Sequence, residues 1–292
     1  MTRMTAPPDR YAVLGHPVAH SQSPFIHALF ARQTGQHLVY DRVPCPPDGF
    51  EACVRAFAST HAADGGRARG CNVTIPFKFD APRLARQVTA RAALAQAANV
   101  LCFDPPGWLA DNTDGAGLIR DLEGGAGWSL AGRRILLIGA GGAAAGVLGP
   151  LIERAPAEIV LANRTPERAR GLVDRHRPLA ADHRVRLAAG GLADCGRAFD
   201  IVINSSASSM KGGPIPVADA VLRDGALAVD LMYGPAAAPF LQWAEARGAN
   251  PRDGLGMLVE QAAGAFALWR GVEPQTAPAL AALREHLRSS AP

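Results

Sequence analysis

From Ile135 to Ile152 the chain runs 18 residues without a charge, ILLIGAGGAAAGVLGPLI. A run of that length is either a membrane span or an element buried inside a protein. The glycines and Pro150 within it, and Arg133, Arg134, Glu153 and Arg154 crowding its ends, argue against the span. What remains is a wholly apolar strand, Ile135 to Ile138, a glycine turn at 139–142, and a helix from Ala143 to Arg154. A strand that is apolar on both faces belongs in a parallel sheet, and parallel sheets need crossover helices.

The flanking sequence repeats this alternation. Before it, strands are expected at Tyr11–Gly15, Leu38–Val43, Cys71–Ile75 and Asn99–Phe103. Helices are expected from Pro24, over 49–59 and over 81–98. The stretch 108–117, small and acidic, reads as a linker at a domain border, with a helix beyond it to about Glu123. After the run, strands are expected at 159–162, 185–188, 201–203 and 227–229, with helices opening at Pro166 and spanning 239–246. From Leu255 the pattern changes to long helix through Trp269, and again over 276–288. The chain has 292 residues, enough for two domains, both of α/β character.

Composition excludes several function classes. A net charge of +4 permits an anionic ligand, but no basic run is interleaved with aromatics as a nucleic-acid surface would be. The five cysteines form no C-x-x-C pair and no cluster with histidine, so neither a disulfide nor a structural metal is expected and a reducing cytoplasm fits. The first ten residues lack the apolar core of a signal peptide. His16, His20 and His27 lie close together but lack a second cluster to complete a metal site, and they read as structural.

Two stretches carry chemistry. The glycine turn, placed between strand and helix, is a candidate dinucleotide site: bare backbone approaches the pyrophosphate, and the helix start offers free N–H groups. The third glycine of the usual spacing is replaced by Ala144, so context rather than the fingerprint carries the assignment. The next strand ends Ala162-Asn163-Arg164-Thr165, with Arg168 one turn on. An acid there would bind the 2′-hydroxyl of NAD, whereas these residues could hold the 2′-phosphate of NADP. The same arginines, with Arg170 and Arg175, also fit a solvated helix face.

The other stretch is Gly70 to Lys78, GCNVTIPFK. A period of two puts Asn72 and Thr74 on one face of a strand that Pro76 ends, and Lys78 stands just past it. Two small polar groups beside a cation would hold a polyhydroxylated anion; Lys78 also reads as a surface charge. Ser21 and Ser23 could bind a carboxylate or cap the helix at Pro24. Asp114, facing Lys78, would form a charged pair able to move protons to and from a substrate oxygen.

Several motifs together resemble the shikimate dehydrogenase family over nearly the whole chain: GHPVAHSQSP (15–24), NVTIPFK (72–78), Ala98-Asn99, NTDG (112–115), GAGG (139–142), NRT (163–165), DLMY (230–233) and GLGMLVEQ (254–261), followed by the helix bearing Ala265, Phe266 and Trp269. The resemblance implies two α/β domains. A substrate domain would comprise residues 1–113, joined by returning C-terminal helices 255–292, and a Rossmann-like NADP-binding domain would span 114–254. It implies reversible, NADPH-dependent reduction of 3-dehydroshikimate to shikimate in aromatic amino-acid biosynthesis, by a cytoplasmic monomer or homodimer. Lys78 and Asp114 would be the catalytic pair, with Asp114 also orienting Lys78. Ser21 and Ser23 would take the substrate carboxylate, and Asn72, Thr74, Asn99 and Gln261 would join Lys78 and Asp114 on the ring hydroxyls. Gly139, Ala140, Gly141, Gly142 and Ala143 would meet the pyrophosphate. Asn163, Arg164, Thr165 and Arg168 would hold the 2′-phosphate, and Met232, Tyr233 and Gly254 would lie near the nicotinamide.

The chain departs from the family pattern at Val100 (usually Thr), Ala145 (often Arg or Lys), Ser205-Ser206-Ala207 (usually Ala-Thr-Ser) and Ala238 (commonly Thr). Val100 bears on the choice of ring, so a quinate-directed or NAD-using paralogue stands as an alternative. So does a dinucleotide-binding sensor without catalysis. Relatives of glutamyl-tRNA reductase or folate dehydrogenase would share a Rossmann fold but leave the N-terminal motifs unexplained.

Overall fold

The structure is a computed structural model describing residues 7–60, 65–103, 106–206 and 215–289. It divides into two compact units, one made of 1–113 and 261–292, the other of 114–260.

The first unit is built on six strands. These are β1 (Asp9–Gly15), β2 (Leu38–Pro44), β3 (Ala68–Val73), β4 (Gln87–Val88), β5 (Val100–Cys102) and β6 (Leu109–Asp111), in the order β2-β1-β3-β5-β6-β4. Helix α1 (Ser23–Thr34) connects β1 to β2, and α2 (Phe50–Ala58) connects β2 to β3. Both crossovers give parallel neighbours, β1 with β2 and β1 with β3. Beyond β3 the sheet turns mixed: β5 runs antiparallel to β3 and to β6. The expected alternation of strand and helix fails here because 81–98 is not one helix. A 3₁₀ turn opens it at Ala81–Leu84, with Pro82 in its first turn. The edge strand β4 follows, and only then α3 (Ala90–Ala95). Thr89 caps α3, its hydroxyl accepting from the Ala92 N–H at 3.4 Å. Alanine content favours helix, but a proline and a cap residue decide where one begins.

Other local readings need correction. The strand at Asn72 ends at Val73, two residues short of Ile75; the chain then turns, with the Phe77 N–H donating to the Thr74 carbonyl at 3.0 Å. The stretch read as a linker is instead β6 followed by α4 (Asp114–Ile119), and residues 110–115 are buried. The expectation of no disulfide fails: Cys45 and Cys53 are bonded, their Cα atoms 5.8 Å apart. The turn after β2, closed by the Gly49 N–H on the Pro46 carbonyl at 3.0 Å, folds α2 back to bring them together. Their spacing of eight matches no pair motif.

The second unit has β7 (Arg134–Ile138), β8 (Glu158–Ala162), β9 (Arg186–Gly190), β10 (Phe199–Asn204), β11 (Leu222–Asp230) and β12 (Asn250–Arg252). Their order is β12-β11-β10-β7-β8-β9, and every neighbouring pair is parallel. In chain order that is 6-5-4-1-2-3, the doubly wound arrangement whose order reverses between β7 and β10. Helices α5 (Gly142–Ile152), α6 (Pro166–Asp182) and α7 (Ala238–Glu245) lie between strands. Ile135, Leu136 and Leu137 are wholly buried, as an uncharged strand requires.

Helix α8 (Leu255–Arg270) begins in the second unit and ends in the first, and α9 (Thr276–Ser289) follows. Trp269 on α8 stacks on Tyr11 of β1 with ring centroids 4.6 Å apart and donates its indole N–H to the Leu101 carbonyl at 3.1 Å. Among the described residues, no helix is long and apolar enough to cross a membrane, and no cluster of His, Cys, Asp and Glu could hold a metal.

Candidate active site

In the first unit the sequence-predicted amides converge. Asn72, on β3, accepts at Oδ1 from the Tyr40 hydroxyl at 2.6 Å and donates from Nδ2 to the Asn99 carbonyl at 3.1 Å. Asn99 donates to Gln261 Oε1 and to Thr113 Oγ1, both at 2.9 Å, and its Oδ1 accepts from the Thr113 N–H at 2.8 Å. Thr113 donates its hydroxyl to the Gln261 carbonyl at 3.0 Å. Three candidate substrate residues, far apart in sequence, thus share one buried hydrogen-bonded set, which fixes which face of each amide points where. Tyr40 and Thr113 are members that the sequence reading missed. Thr113 lies inside the quoted NTDG motif; for Tyr40, only its place on β2 offered a hint.

Below this set lies His27, 1% exposed, stacked on Tyr40 at 4.2 Å and edge-on to Phe30. Neither ring nitrogen has a hydrogen-bond partner. Burial drives its pKa down to about 3 against the opposing effect of the Asn72 side chain, so the ring is neutral. Burial likewise holds the Tyr40 phenol protonated, with its pKa well above the usual value. The tyrosine is therefore a hydrogen-bond donor at any working pH.

Ser21 and Ser23 flank the start of α1. Their Oγ atoms lie 3.2 Å apart, and the Ser23 N–H donates to Ser21 Oγ at 3.3 Å. The N-cap position falls on Gln22, whose side chain makes no cap bond, while Ser21 Oγ accepts the N–H of the first helical residue, so part of the capping role weighed for these serines is taken by Ser21. Thr74, half-buried, donates its N–H to the Leu14 carbonyl at 2.9 Å. Lys78, half-buried, sits in a 3₁₀ turn at Phe77–Phe79 and is held by its own carbonyl, which accepts from the Ala98 N–H at 2.8 Å. Phe77 beside it stacks on Phe50 of α2 at 4.5 Å. Val100 is wholly buried in an apolar cluster with Cys102 and Ala265.

In the second unit, the glycine turn stands at the C-terminal end of β7, at the point where strand order reverses. Gly139 has φ +105°, and a Cβ there would lie 2.8 Å from Ser205 Oγ. Gly141 precedes α5 with nothing within 4 Å of where its Cβ would be, leaving open backbone at the helix start. Ala140 is buried, Ala143 half-buried, and Ala145 buried within α5. Arg164, Thr165 and Arg168 lie beyond the end of β8, with Arg164 and Arg168 exposed, and Asn163 donates to the Thr165 carbonyl at 2.9 Å. Arg170 is paired with Glu167 at 3.0 Å on the exposed face of α6. An open turn, an acid-free strand end and two exposed arginines fit a 2′-phosphorylated dinucleotide.

Residues near the expected nicotinamide are tied together at the ends of β10 and β11. Asp230, wholly buried, accepts from Asn204 Nδ2 at 2.9 Å and from the Met232 N–H at 2.8 Å. Asn204 Oδ1 accepts from the Ser206 hydroxyl at 2.7 Å, and Ser205 donates its hydroxyl to the Ile138 carbonyl at 2.7 Å. Gly254 donates its N–H to the Met232 carbonyl at 2.8 Å; Tyr233 is half-buried. Asp114 opens α4 and is 3% exposed. Ala207 lies outside the described residues.

Comparison with known proteins follows the same division. Residues 13–101 match the shikimate dehydrogenase substrate binding domain, 123–212 the shikimate/quinate 5-dehydrogenase family, and 254–284 the shikimate 5′-dehydrogenase C-terminal domain. The shikimate dehydrogenase (NADP(+)) of Methylibium petroleiphilum is 63% identical over 276 residues, 94% of each chain. The structure of an Ael1 enzyme from Pseudomonas putida superposes with TM-score 0.81 at 44% identity, covering 94% of this chain and 98% of that one. Shikimate 5-dehydrogenase from Thermus thermophilus, in complex with NADP(H) and shikimate, superposes with TM-score 0.79 at 30% identity, covering 95% and 99%. By this relationship, end to end, the chain belongs to the shikimate dehydrogenase family.

Proposed function

We propose that the chain is an NADP-dependent shikimate dehydrogenase, reversibly reducing 3-dehydroshikimate to shikimate in aromatic amino-acid biosynthesis. The observation that carries this reading is the 63% identity, across 94% of both chains, to a relative named shikimate dehydrogenase (NADP(+)). Two features of the geometry support it: the cross-linked amides of Asn72, Asn99 and Gln261, suited to a ring bearing several hydroxyls, and the acid-free, arginine-bearing end of β8.

Bound NADPH supplies a hydride to the substrate carbonyl carbon. The protein's task is to bind, orient and balance charge. Ser21 and Ser23 take the carboxylate. Asn72, Thr74, Asn99 and Gln261 meet the ring hydroxyls. As the carbonyl becomes an alkoxide, Lys78 supplies the proton or positive charge that its oxygen needs. Asp114 binds a hydroxyl as an acceptor. The turn Gly139–Ala143, open at Gly141, receives the pyrophosphate, and Asn163, Arg164, Thr165 and Arg168 hold the 2′-phosphate. Met232, Tyr233 and Gly254 flank the nicotinamide. On this reading 1–113 with the C-terminal helices is the substrate domain, and the enzyme works in the cytoplasm as a monomer or homodimer.

A four-way steady-state assay, shikimate and quinate against NADP⁺ and NAD⁺, tests this. The highest kcat/KM is expected for shikimate with NADP⁺. A higher value for quinate with NAD⁺ would refute it.

A further inference from the structure

Two serine hydroxyls are neutral donors, and a carboxylate leaving water for such a site needs positive charge nearby. The first unit holds one suitably placed. Arg42, on β2, donates from Nε and from a terminal guanidinium nitrogen to the Ser21 carbonyl, at 2.9 and 2.6 Å. This two-pronged bond joins β2 to the loop that presents Ser21 and Ser23. The acceptor is a neutral carbonyl, so the bond leaves the guanidinium's charge uncancelled. Asp41, its acidic chain neighbour, is engaged elsewhere, with Arg10 at 3.0 Å. Among the described residues no carboxylate pairs with Arg42.

We propose that Arg42 is a positioning residue for substrate: it fixes the Ser21–Ser23 loop and supplies the charge that draws the substrate carboxylate to it. The inference rests on the serines being the carboxylate subsite. The physical consequence is directional. A cation in water acts through an ionic atmosphere with a screening length of about 8 Å at ~0.15 M salt, so its contribution fades as salt is added. It acts on the anionic substrate's binding and leaves the hydride step alone.

The test is steady-state kinetics of Arg42→Gln and Arg42→Lys at low and high ionic strength, with Arg55→Gln as a control for general surface charge. Arg55 is exposed on α2 and paired with Glu51 at 2.8 Å. Arg42→Gln is expected to raise KM for shikimate about tenfold at low salt, with kcat and KM for NADP⁺ within about twofold. The dependence of KM for shikimate on salt should flatten. Arg42→Lys should keep the salt dependence while recovering only part of KM, since an ammonium lacks the fork. Arg55→Gln should change none of these. A shikimate KM within about twofold of wild type for Arg42→Gln would overturn the proposal, as would an equal rise in both KM values or an unaltered salt response. If wild-type protein itself fails to turn over shikimate, the proposed function falls instead.

Discussion

Lys78 and His27 stand at opposite extremes of what a basic side chain can do in one unit. Lys78 is half-buried in a turn anchored through its backbone. If it supplies the proton or charge, Lys78→Ala should lower kcat by about 10²- to 10⁴-fold while the melting temperature stays near wild type; unchanged turnover would remove it from the mechanism. His27 is sealed among aromatic rings and kept neutral by burial, with its pKa lowered from the ordinary 6.5 to about 3. The unfolded chain therefore takes up a proton at His27 below about pH 6.5 while the folded chain does not until about pH 3, so stability falls as pH drops through that window. Urea unfolding between about pH 4 and 7 should show that decline, and a His27→Phe variant should show a shallower one. The same slope in both would refute the assignment. Neither role is legible from residue type alone. The sequence reading makes His27 structural, which is correct in kind, but its stack on Tyr40 depends on strand pairing that no local pattern reveals.

At the scale of elements, the sequence is most readable where structure is local. The strand, glycine turn and helix of β7 and α5 follow from an apolar run broken by glycines. The amide set is less readable, because Asn99 and Gln261 meet across 162 positions. The misjudged 81–98 stretch shows composition losing to Pro82 and the Thr89 cap, and the disulfide depends on a fold-back that spacing alone does not encode. Packing between elements gives a sharp prediction at the start of α8. Gly256 is pressed against Asp121, where a Cβ would come within 1.7 Å of the carboxylate. That carboxylate cannot simply swing away, for it is buried and forked onto Arg252, with Nε at 2.9 Å. Gly256→Ala should therefore cost about 1–3 kcal/mol in denaturant unfolding; a loss below half that would mean the contact relaxes freely. The disulfide, closing a short loop between β2 and α2, should add about 2 kcal/mol, read as the difference in urea midpoint between oxidised and reduced protein.

For the whole molecule, the chain leaves the first unit after Thr113 and re-enters it at Gln261. Those two residues are clasped to each other, the Thr113 hydroxyl on the Gln261 carbonyl at 3.0 Å. The second unit is, in this sense, a cassette whose two attachment points are pinned side by side in the host. A cassette so mounted can be removed on paper by joining 113 to 261 through a few glycines, since the two residues are already in hydrogen-bond contact. The host would then be a small protein with its own sheet and amide set, and the cassette a complete doubly wound sheet with its glycine turn. The bond between Thr113 and Gln261 thus marks a seam along which this enzyme could be cut and respliced, with related units that carry their own counterpart of Asp114 exchanged into it while Ser21, Ser23, Asn72, Thr74, Lys78, Asn99 and Gln261 stay where they are.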